Sequence, residues 1–198
     1  MIELNNVSFS YGDKEILKDI SITVKNSECL CLTGKSGCGK TTVLRLIAGL
    51  EKEKSGFIKA DGKISYVFQE DRLVPTMSVL KNITLCLPKH SKESAMKLLK
   101  EAGLEACANL LPQELSGGMK RRAAIVRALA YGGDMLLLDE PFNGLDIETK
   151  RIMAGMIKRE FAKKPILMVS HVDEDAEIME ARQIELTRNS PVHSTIQI

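Results

Sequence analysis

The pattern of apolar and polar residues along the chain predicts short strands that alternate with helices. Apolar and polar residues alternate over 2–9 and 20–24, which is typical of half-buried strands. Continuous apolar runs predict buried strands over 28–33, 135–138 and 166–169. Strands that alternate with helices favour a parallel sheet with helices on its faces.

Helical periodicity predicts the elements between these strands. Apolar residues at 43, 46, 47 and 50 form one face of a helix over 40–50. Further helices are predicted over 93–102, which Gly103 would cap, over 119–129 and over 147–161. Two short runs, 57–60 and 63–68, flank Asp61-Gly62, which predicts a β-hairpin.

The composition is that of a globular chain. It has 198 residues, 44% of them hydrophobic and 27% charged, which suits one domain or one domain with an inserted lobe. The net charge of +2 argues against a dedicated polyanion binder. The sequence contains no apolar run of membrane-spanning length and no secretory leader, so we expect it in the cytoplasm.

The five cysteines fit a reducing compartment, in which thiols stay free. Cys29 and Cys31 lie two residues apart on a predicted strand and so point to one face. We interpret them as small core residues rather than metal ligands, because no second Cys/His pair has matching spacing.

The stretch GKSGCGKT matches the pattern G-x-x-x-x-G-K-[ST] between a predicted strand and a predicted helix. Its glycines let backbone N–H groups turn towards phosphate oxygens, and the helix N-terminus adds positive potential. Lys40 would reach the β- and γ-phosphates of a nucleotide, and the Thr41 hydroxyl would hold Mg²⁺. Thus the predicted phosphate-binding residues are Gly34, Lys35, Ser36, Gly37, Cys38, Gly39, Lys40, Thr41 and Thr42.

Polar residues follow the ends of other predicted strands. Asp139 is placed to hold Mg²⁺, and Glu140, one residue later, to act as general base on the attacking water. His171 and Gln69 also end strands, and the carboxyl ends of parallel strands meet at one edge of a sheet. Gln69 could coordinate Mg²⁺ or orient water. Tyr11 is either a ring that stacks on adenine or a packed surface aromatic.

A second glycine-containing stretch, LSGGMKRR, begins another predicted helix. Ser116, Gly117 and Gly118 could bind an anion by the same physics as the first loop, which already encloses the phosphates. Two chains related by a two-fold axis would resolve this redundancy, each completing the partner's site. For the basic cluster 120–122 we favour a solvated or interface role over a nucleic-acid contact.

The ordered set of motifs resembles the ATP-binding subunits of ABC transporters over nearly the whole chain. The segments that carry the resemblance are Tyr11, GKSGCGKTT at 34–42, VFQED at 67–71, LSGGM at 115–119, MLLLDEP at 135–141, NGLD at 143–146 and SH at 170–171. The LSGG stretch followed by an apolar strand and DEP is the most specific part. VFQEDRLVP and LSGGMKRR are similar to the importer branch for nitrate, sulfonate and related solutes.

The resemblance implies an α/β fold: a P-loop NTPase core with a mostly parallel sheet, a small antiparallel lobe and an inserted helical lobe. The core would comprise 1–69 and 131–198, and the helical lobe 70–130 would dock onto a permease. It further implies that two such subunits, with a homodimer preferred, enclose ATP and Mg²⁺ on the inner face of the membrane, together with two permease subunits and a possible solute-binding protein.

The resemblance also implies roles for individual residues. Tyr11 would stack on adenine, and Gln69 would sense the γ-phosphate and Mg²⁺. Ser116–Gly118 would bind the partner's ATP, Asp146 would link the two sites, and His171 would contact the γ-phosphate. Departures from the family pattern are Met119, Asn143-Gly144, Val172 and a short antiparallel lobe, and none of them removes a catalytic group.

Two other classes of protein remain as alternatives. A soluble cassette ATPase acting on DNA or ribosomes would carry long coiled coils or tandem cassettes, and the sequence shows one cassette without sustained heptads. A small-molecule kinase would share the phosphate loop but leave LSGG and His171 unexplained. The sequence does not decide the solute, the direction of transport or whether the two cassettes are identical.

Overall fold

The computed structural model describes residues 1–87 and 91–187, which form two sheets and a set of helices. The strands are β1 (Ile2–Tyr11), β2 (Lys14–Val24), β3 (Cys29–Thr33), β4 (Ser55–Ala60), β5 (Ile64–Val67), β6 (Met135–Asp139), β7 (Ile166–Val169) and β8 (Arg182–Glu185). The helices are α1 (Lys40–Ile47), α2 (Val79–Thr84), α3 (Lys92–Glu101), α4 (Gly117–Tyr131), α5 (Ile147–Glu160) and α6 (Asp173–Ile178).

The larger sheet is parallel throughout its pairings and has the strand order β5-β6-β7-β3-β8. Strands β6 and β7 are buried along their whole length, as continuous apolar runs require. Helices and a second layer of strands therefore cover both faces of this sheet. This arrangement confirms the predicted α/β class and its mostly parallel core.

The smaller sheet is antiparallel, with the order β2-β1-β4. Here the predicted hairpin around Asp61-Gly62 is wrong, because β4 and β5 belong to different sheets. The Lys63 N–H donates to the Asp134 carboxylate at 2.8 Å, and the Asp134 N–H donates to the Lys63 carbonyl at 2.6 Å. These contacts place the beginning of β5 beside β6, so Asp61-Gly62 connects the two sheets.

Strand β2 is longer than the predicted 20–24 because a bulge interrupts its alternation. Asp19 has a φ of +51°, and three residues of β1, Val7 to Phe9, face four of β2, Leu17 to Ile20. The bulge shifts the inward positions by one residue. Consequently the residues before it fit no simple alternating pattern.

The helices agree with prediction in position and differ at their ends. Helix α1 ends at Ile47 rather than residue 50, since Gly49 adopts a φ of +68°. Ser116 caps α4 by accepting a hydrogen bond from the Met119 N–H. The helix therefore begins at Gly117, two residues before the predicted start at 119. The two six-residue helices α2 and α6 and strand β8 were not predicted.

Two hydrophobic clusters lie on the two faces of the parallel sheet. Cys31 is fully buried in one of them, and the half-buried Cys29 packs against the same cluster, as expected for core residues.

Helices α2, α3 and α4 follow β5 and precede β6 in the chain, and they pack against one another. The division into core and helical lobe at residues 70 and 130 stays a prediction. Within the described parts of the chain, no helix combines the length and apolar character needed to cross a bilayer.

Candidate nucleotide site

Four neighbouring strands of the parallel sheet direct their carboxyl ends to one cavity. Strand β3 leads into the glycine loop, β5 into Gln69, β6 into Asp139-Glu140 and β7 into Ser170-His171. The cavity has a volume of 670 Å³. Its lining comprises Gly34, Lys35, Ser36, Gly37, Gly39, Lys40, Thr41, Gln69, Glu140, Val169 and His171.

The glycine loop has a conformation that side chains at two of its positions would prevent. Gly34 has a φ of +129°, and a Cβ there would lie 2.3 Å from the Leu186 carbonyl oxygen. Gly39 has a φ of +107°, and a Cβ there would lie 2.7 Å from a methyl group of Leu17. Because only glycine accepts both the backbone angle and the close neighbour, the loop can wrap tightly in front of α1.

Lys40 begins α1 and its ammonium group lies inside the loop. Its Nζ donates to the carbonyl oxygens of Gly34 at 2.7 Å and Lys35 at 3.0 Å. Cys38 is 4% exposed, and its sulfur lies 3.9 Å from the same Nζ. Thr42 is also buried, on the inner side of the helix. The loop therefore presents the cations of Lys35 and Lys40 and the N-terminus of α1 to the cavity, a combination suited to phosphate.

Thr41 and Asp139 bring two oxygen ligands together from different elements. The Thr41 hydroxyl donates to the Asp139 carboxylate at 3.2 Å. Burial raises the pKa of Asp139, and the hydrogen bond from Thr41 partly opposes this rise. A hydroxyl, a buried carboxylate and the nearby Gln69 amide are the hard oxygen donors that Mg²⁺ prefers, so the residues fit this ion.

Glu140 lies directly after Asp139 in a left-handed backbone conformation, with a φ of +48°. Its N–H donates to the Val169 carbonyl at 2.9 Å. Its carboxylate lies 3.2 Å from Nδ1 of His171, an imidazole that is 59% exposed and that also lines the cavity. The two side chains predicted for proton transfer and γ-phosphate contact are thus in direct contact.

Three predicted elements lie away from this cavity. Tyr11 is 46% exposed, packs edge-on against Phe9 at 4.7 Å and donates its hydroxyl to Glu51 at 3.2 Å. Asp146 caps α5 by accepting a hydrogen bond from the Thr149 N–H at 2.9 Å, and this bond lowers its pKa. Ser116–Gly118 lie at the surface end of α4. None of these residues is among the described residues that line the cavity.

Arg121 is a residue of the site that the sequence interpretation missed. It was expected in a solvated or interface cluster, but its side chain is 4% exposed, so that expectation is wrong for Arg121. The guanidinium donates to five backbone carbonyl oxygens, those of Phe68 (2.6 Å), Gln69 (3.2 Å), Asp139 (2.6 Å), Glu140 (2.5 Å) and Pro141 (3.0 Å). The sequence did contain a signal for the burial of Arg121, because this residue shares the apolar face of α4 with Ile125 and Ala128 at i+4 and i+7.

A second set of contacts supports the His171 turn. Asp175, 3% exposed, accepts from the Ser170 hydroxyl at 2.8 Å and from Lys150 Nζ at 2.7 Å. Lys150 belongs to α5 and Asp175 to α6. Their pairing anchors the residue just before His171, and nothing in the local sequence pattern predicts a contact between residues so distant along the chain.

Comparison with known proteins agrees with this geometry. The family model described as ABC transporter matches residues 17–143. The aliphatic sulfonates import ATP-binding protein SsuB 1 of Rhodococcus jostii (strain RHA1) is 40% identical over 194 residues, which cover 94% of this chain and 79% of that protein. The protein of the same description from Shouchella clausii (strain KSM-K16) is 35% identical and covers 100% of this chain and 81% of its own length.

A solved structure gives the same result for the fold. The dimeric structure of a post-hydrolysis state of the ATP-binding cassette MJ0796, bound to ADP and Pi, aligns with a TM-score of 0.85 and 30% sequence identity. The alignment covers 97% of this chain and 96% of that one.

Proposed function

The chain belongs to the ABC transporter family as an ATP-hydrolysing subunit that powers transport through a membrane permease, and from this premise we propose how its residues act. The observation that carries the proposal is the convergence of the glycine loop, Gln69, Glu140 and His171 on one cavity. Three loops from adjacent strands thereby meet the loop that holds the phosphates.

The Glu140 carboxylate acts as general base in hydrolysis. It takes a proton from the attacking water, whose oxygen bonds to the γ-phosphorus as the bond to the bridging oxygen breaks, giving ADP and phosphate. Lys40 and the loop N–H groups stabilise the negative charge on the phosphates. His171 holds the Glu140 side chain through its 3.2 Å contact and reaches the γ-phosphate, while Gln69 orients the water.

Thr41, Asp139 and Gln69 would hold Mg²⁺. A bound Mg²⁺ supplies neutralisation of charge on the phosphate oxygens. The raised pKa of the buried Asp139 supports this role, because a cation compensates for the poor solvation of the carboxylate.

Ser116–Gly118 serve the ATP of a second cassette, and we favour a partner identical to this chain. Their place at the start of α4, where Ser116 and Gly117 are exposed, lies outside the cavity of their own chain and supports this assignment. Asp146 and Tyr11, also outside the cavity, would contact the second site and the adenine, respectively. The related cassette MJ0796 is described as dimeric.

The subunit works at the inner face of the cell membrane, beside a permease that takes up small organic anions such as sulfonates. The names of the two similar proteins, both sulfonate import subunits, support this solute class, which also implies a solute-binding protein. An apolar cavity of 320 Å³, which includes Leu50 and Tyr131, offers a surface for the permease between α1, β5 and α4. Leu50 and Tyr131 are 49% and 43% exposed.

Glu140→Gln tests the catalytic assignment. The variant should bind ATP with nearly unchanged affinity and hydrolyse it at least about 100-fold more slowly, the lower range for loss of a general base. Glu160→Gln, the same substitution on the exposed face of α5, is the matched control and should keep normal turnover. Turnover of Glu140→Gln within threefold of the parent chain would contradict the assignment.

Mixing two inactive variants tests the two-chain site. Lys40→Ala disables the phosphate loop of one chain, and Ser116→Arg disables the second loop of the other. Mixed dimers combine one intact loop of each kind, so an equal mixture should recover about a quarter of the parent activity, whereas each variant alone stays inactive. No recovery after mixing would exclude a site shared between two chains.

A further inference from the structure

Arg121 joins three parts of the nucleotide site through one buried side chain. It lies in the second turn of α4, the helix that Ser116–Gly118 begin. One side of the guanidinium contacts the segment that carries Gln69, and the other contacts the end of β6. No other described side chain donates hydrogen bonds to both segments.

The contacts to β6 fall on the backbone around Glu140. Nη2 donates to the successive carbonyl oxygens of Asp139 and Glu140, at 2.6 and 2.5 Å. Two successive carbonyls can converge on one donor because Glu140 has a left-handed φ of +48°. With the Glu140 N–H tied to Val169 at 2.9 Å, the backbone on both sides of the Glu140 Cα is held. A non-glycine residue keeps this conformation only where its surroundings impose it.

The charge balance of Arg121 is unusual for a buried arginine. Asp71 is the carboxylate within hydrogen-bond distance, at 3.3 Å, and it is partly exposed. Burial lowers the pKa of Arg121, and Asp71 opposes this change. Carbonyl dipoles therefore provide most of the solvation of the guanidinium, so its position depends on those carbonyls and theirs on it.

We propose that Arg121 is a positioning residue for ATP hydrolysis, which fixes the Glu140 and Gln69 backbones relative to the helix that begins with Ser116–Gly118. This inference rests on the proposed role of Glu140. A change in the position of α4, where the partner's ATP would bind, is transmitted through Arg121 to the base that acts on the chain's own ATP. Ordinary packing of α4 would not require contacts to both catalytic segments.

The experiment compares kcat, KM and the dissociation constant of ATP for Arg121→Met and Arg127→Met. Arg127 is the matched control, because it comes from the same helix and donates to the Asp71 and Arg72 carbonyls but not to residues 139–141. We expect Arg121→Met to lower kcat at least about tenfold with KM and ATP affinity within threefold, and Arg127→Met to keep kcat within threefold. Equal losses in both variants would show general packing and overturn the proposal.

A double-mutant cycle with Glu140→Gln separates this inference from the proposed function. If Arg121 acts through Glu140, Arg121→Met should cause little further loss in the Glu140→Gln background, whereas independent effects would multiply. Two results would overturn only the role of Arg121. One is a double variant whose loss in kcat equals the product of the two single losses, and the other is a normal kcat for Arg121→Met when Glu140→Gln has a low kcat. A normal kcat for Glu140→Gln would instead overturn the catalytic assignment.

Arg121→Lys keeps the test decisive if Arg121→Met does not fold. A lysine retains the charge and can reach one carbonyl but not both segments. We expect kcat to fall at least about fivefold for Arg121→Lys, with ATP affinity unchanged. A kcat within twofold of the parent chain would show that two-sided bonding is unnecessary and would overturn the proposal.

Discussion

Nδ1 of His171 lies 3.2 Å from a carboxylate oxygen of Glu140, although the two residues leave different strands. The imidazole is 59% exposed and the Glu140 side chain 20% exposed, so the contact stands at the mouth of the cavity. A general base must be oriented towards the attacking water, and the contact with His171 restrains the Glu140 side chain. The contact supports the proposed role of His171, which follows β7, in hydrolysis.

Replacing His171 should impair the chemical step more than binding. We expect His171→Ala to lower kcat roughly 10- to 100-fold, because the Glu140 carboxylate loses its neighbour and the γ-phosphate a contact. The dissociation constant of ATP should stay within about threefold, since Lys40 and the loop amides remain. Steady-state kinetics with separate ATP titration measures both quantities. A weakened affinity with normal kcat would assign His171 to binding alone.

Two alanine substitutions in the glycine loop should differ in how much they destabilise the fold. Gly34→Ala places a Cβ 2.3 Å from the Leu186 carbonyl, so we expect it to lower the free energy of unfolding by about 2–4 kcal/mol. Gly37→Ala meets no protein atom within 4 Å and should cost about 1 kcal/mol through its φ of +76°. Urea denaturation of both variants measures the difference. Equal stability losses would contradict the steric role of Gly34.

Loss of the carboxylate at Asp175 should destabilise the fold and loosen the His171 turn. Asp175→Asn leaves the largely buried Lys150 with only the exposed Glu174, at 3.3 Å, and we expect a loss of about 3 kcal/mol. Because Asp175 also accepts from Ser170, kcat should fall as well. The matched control is Glu180→Gln, which breaks a surface pair with Lys158 and should leave thermal stability and kcat unchanged. Equal effects of the two substitutions would contradict the argument.

The buried Cys31 thiol should make the protein less stable in alkali. Burial raises the pKa of Cys31 from 9.0 to about 11, so above pH 9 the unfolded chain releases a proton that the folded chain keeps. The stabilising effect of the neutral thiol is complete below pH 9. It should diminish above that pH by up to about 1.4 kcal/mol per pH unit, until about pH 11.

Cys31→Ala is the control for this pH dependence. Other groups titrate in the same range, so the relevant quantity is the difference between the two proteins in the free energy of unfolding at pH 8 and pH 10. The parent chain should lose about 1 kcal/mol more than Cys31→Ala over this interval. Parallel curves would show that the thiol does not contribute.

The sequence by itself determined the elements whose information is local. The phosphate loop was predictable because glycine, lysine and threonine at fixed spacing between a strand and a helix suit one chemistry. The buried strands that end in Asp139 and before Ser170-His171 were recognisable as continuous apolar runs. Together they predicted the parallel core and the nucleotide, and the LSGG stretch at 115–118 with DEP at 139–141 carried the resemblance to the family.

Only the tertiary structure decided which strands pair and what the buried polar groups contact. Asp61-Gly62 resembled a hairpin turn locally, but pairing of Lys63 with Asp134 placed β5 in the other sheet. The charge of Arg121 suggested solvent, yet carbonyls from two distant segments enclose it. The physical reason is that turn and helix preferences act over a few residues. Strand register and the desolvation of a charge depend instead on groups far apart in sequence, which become neighbours only in the folded chain.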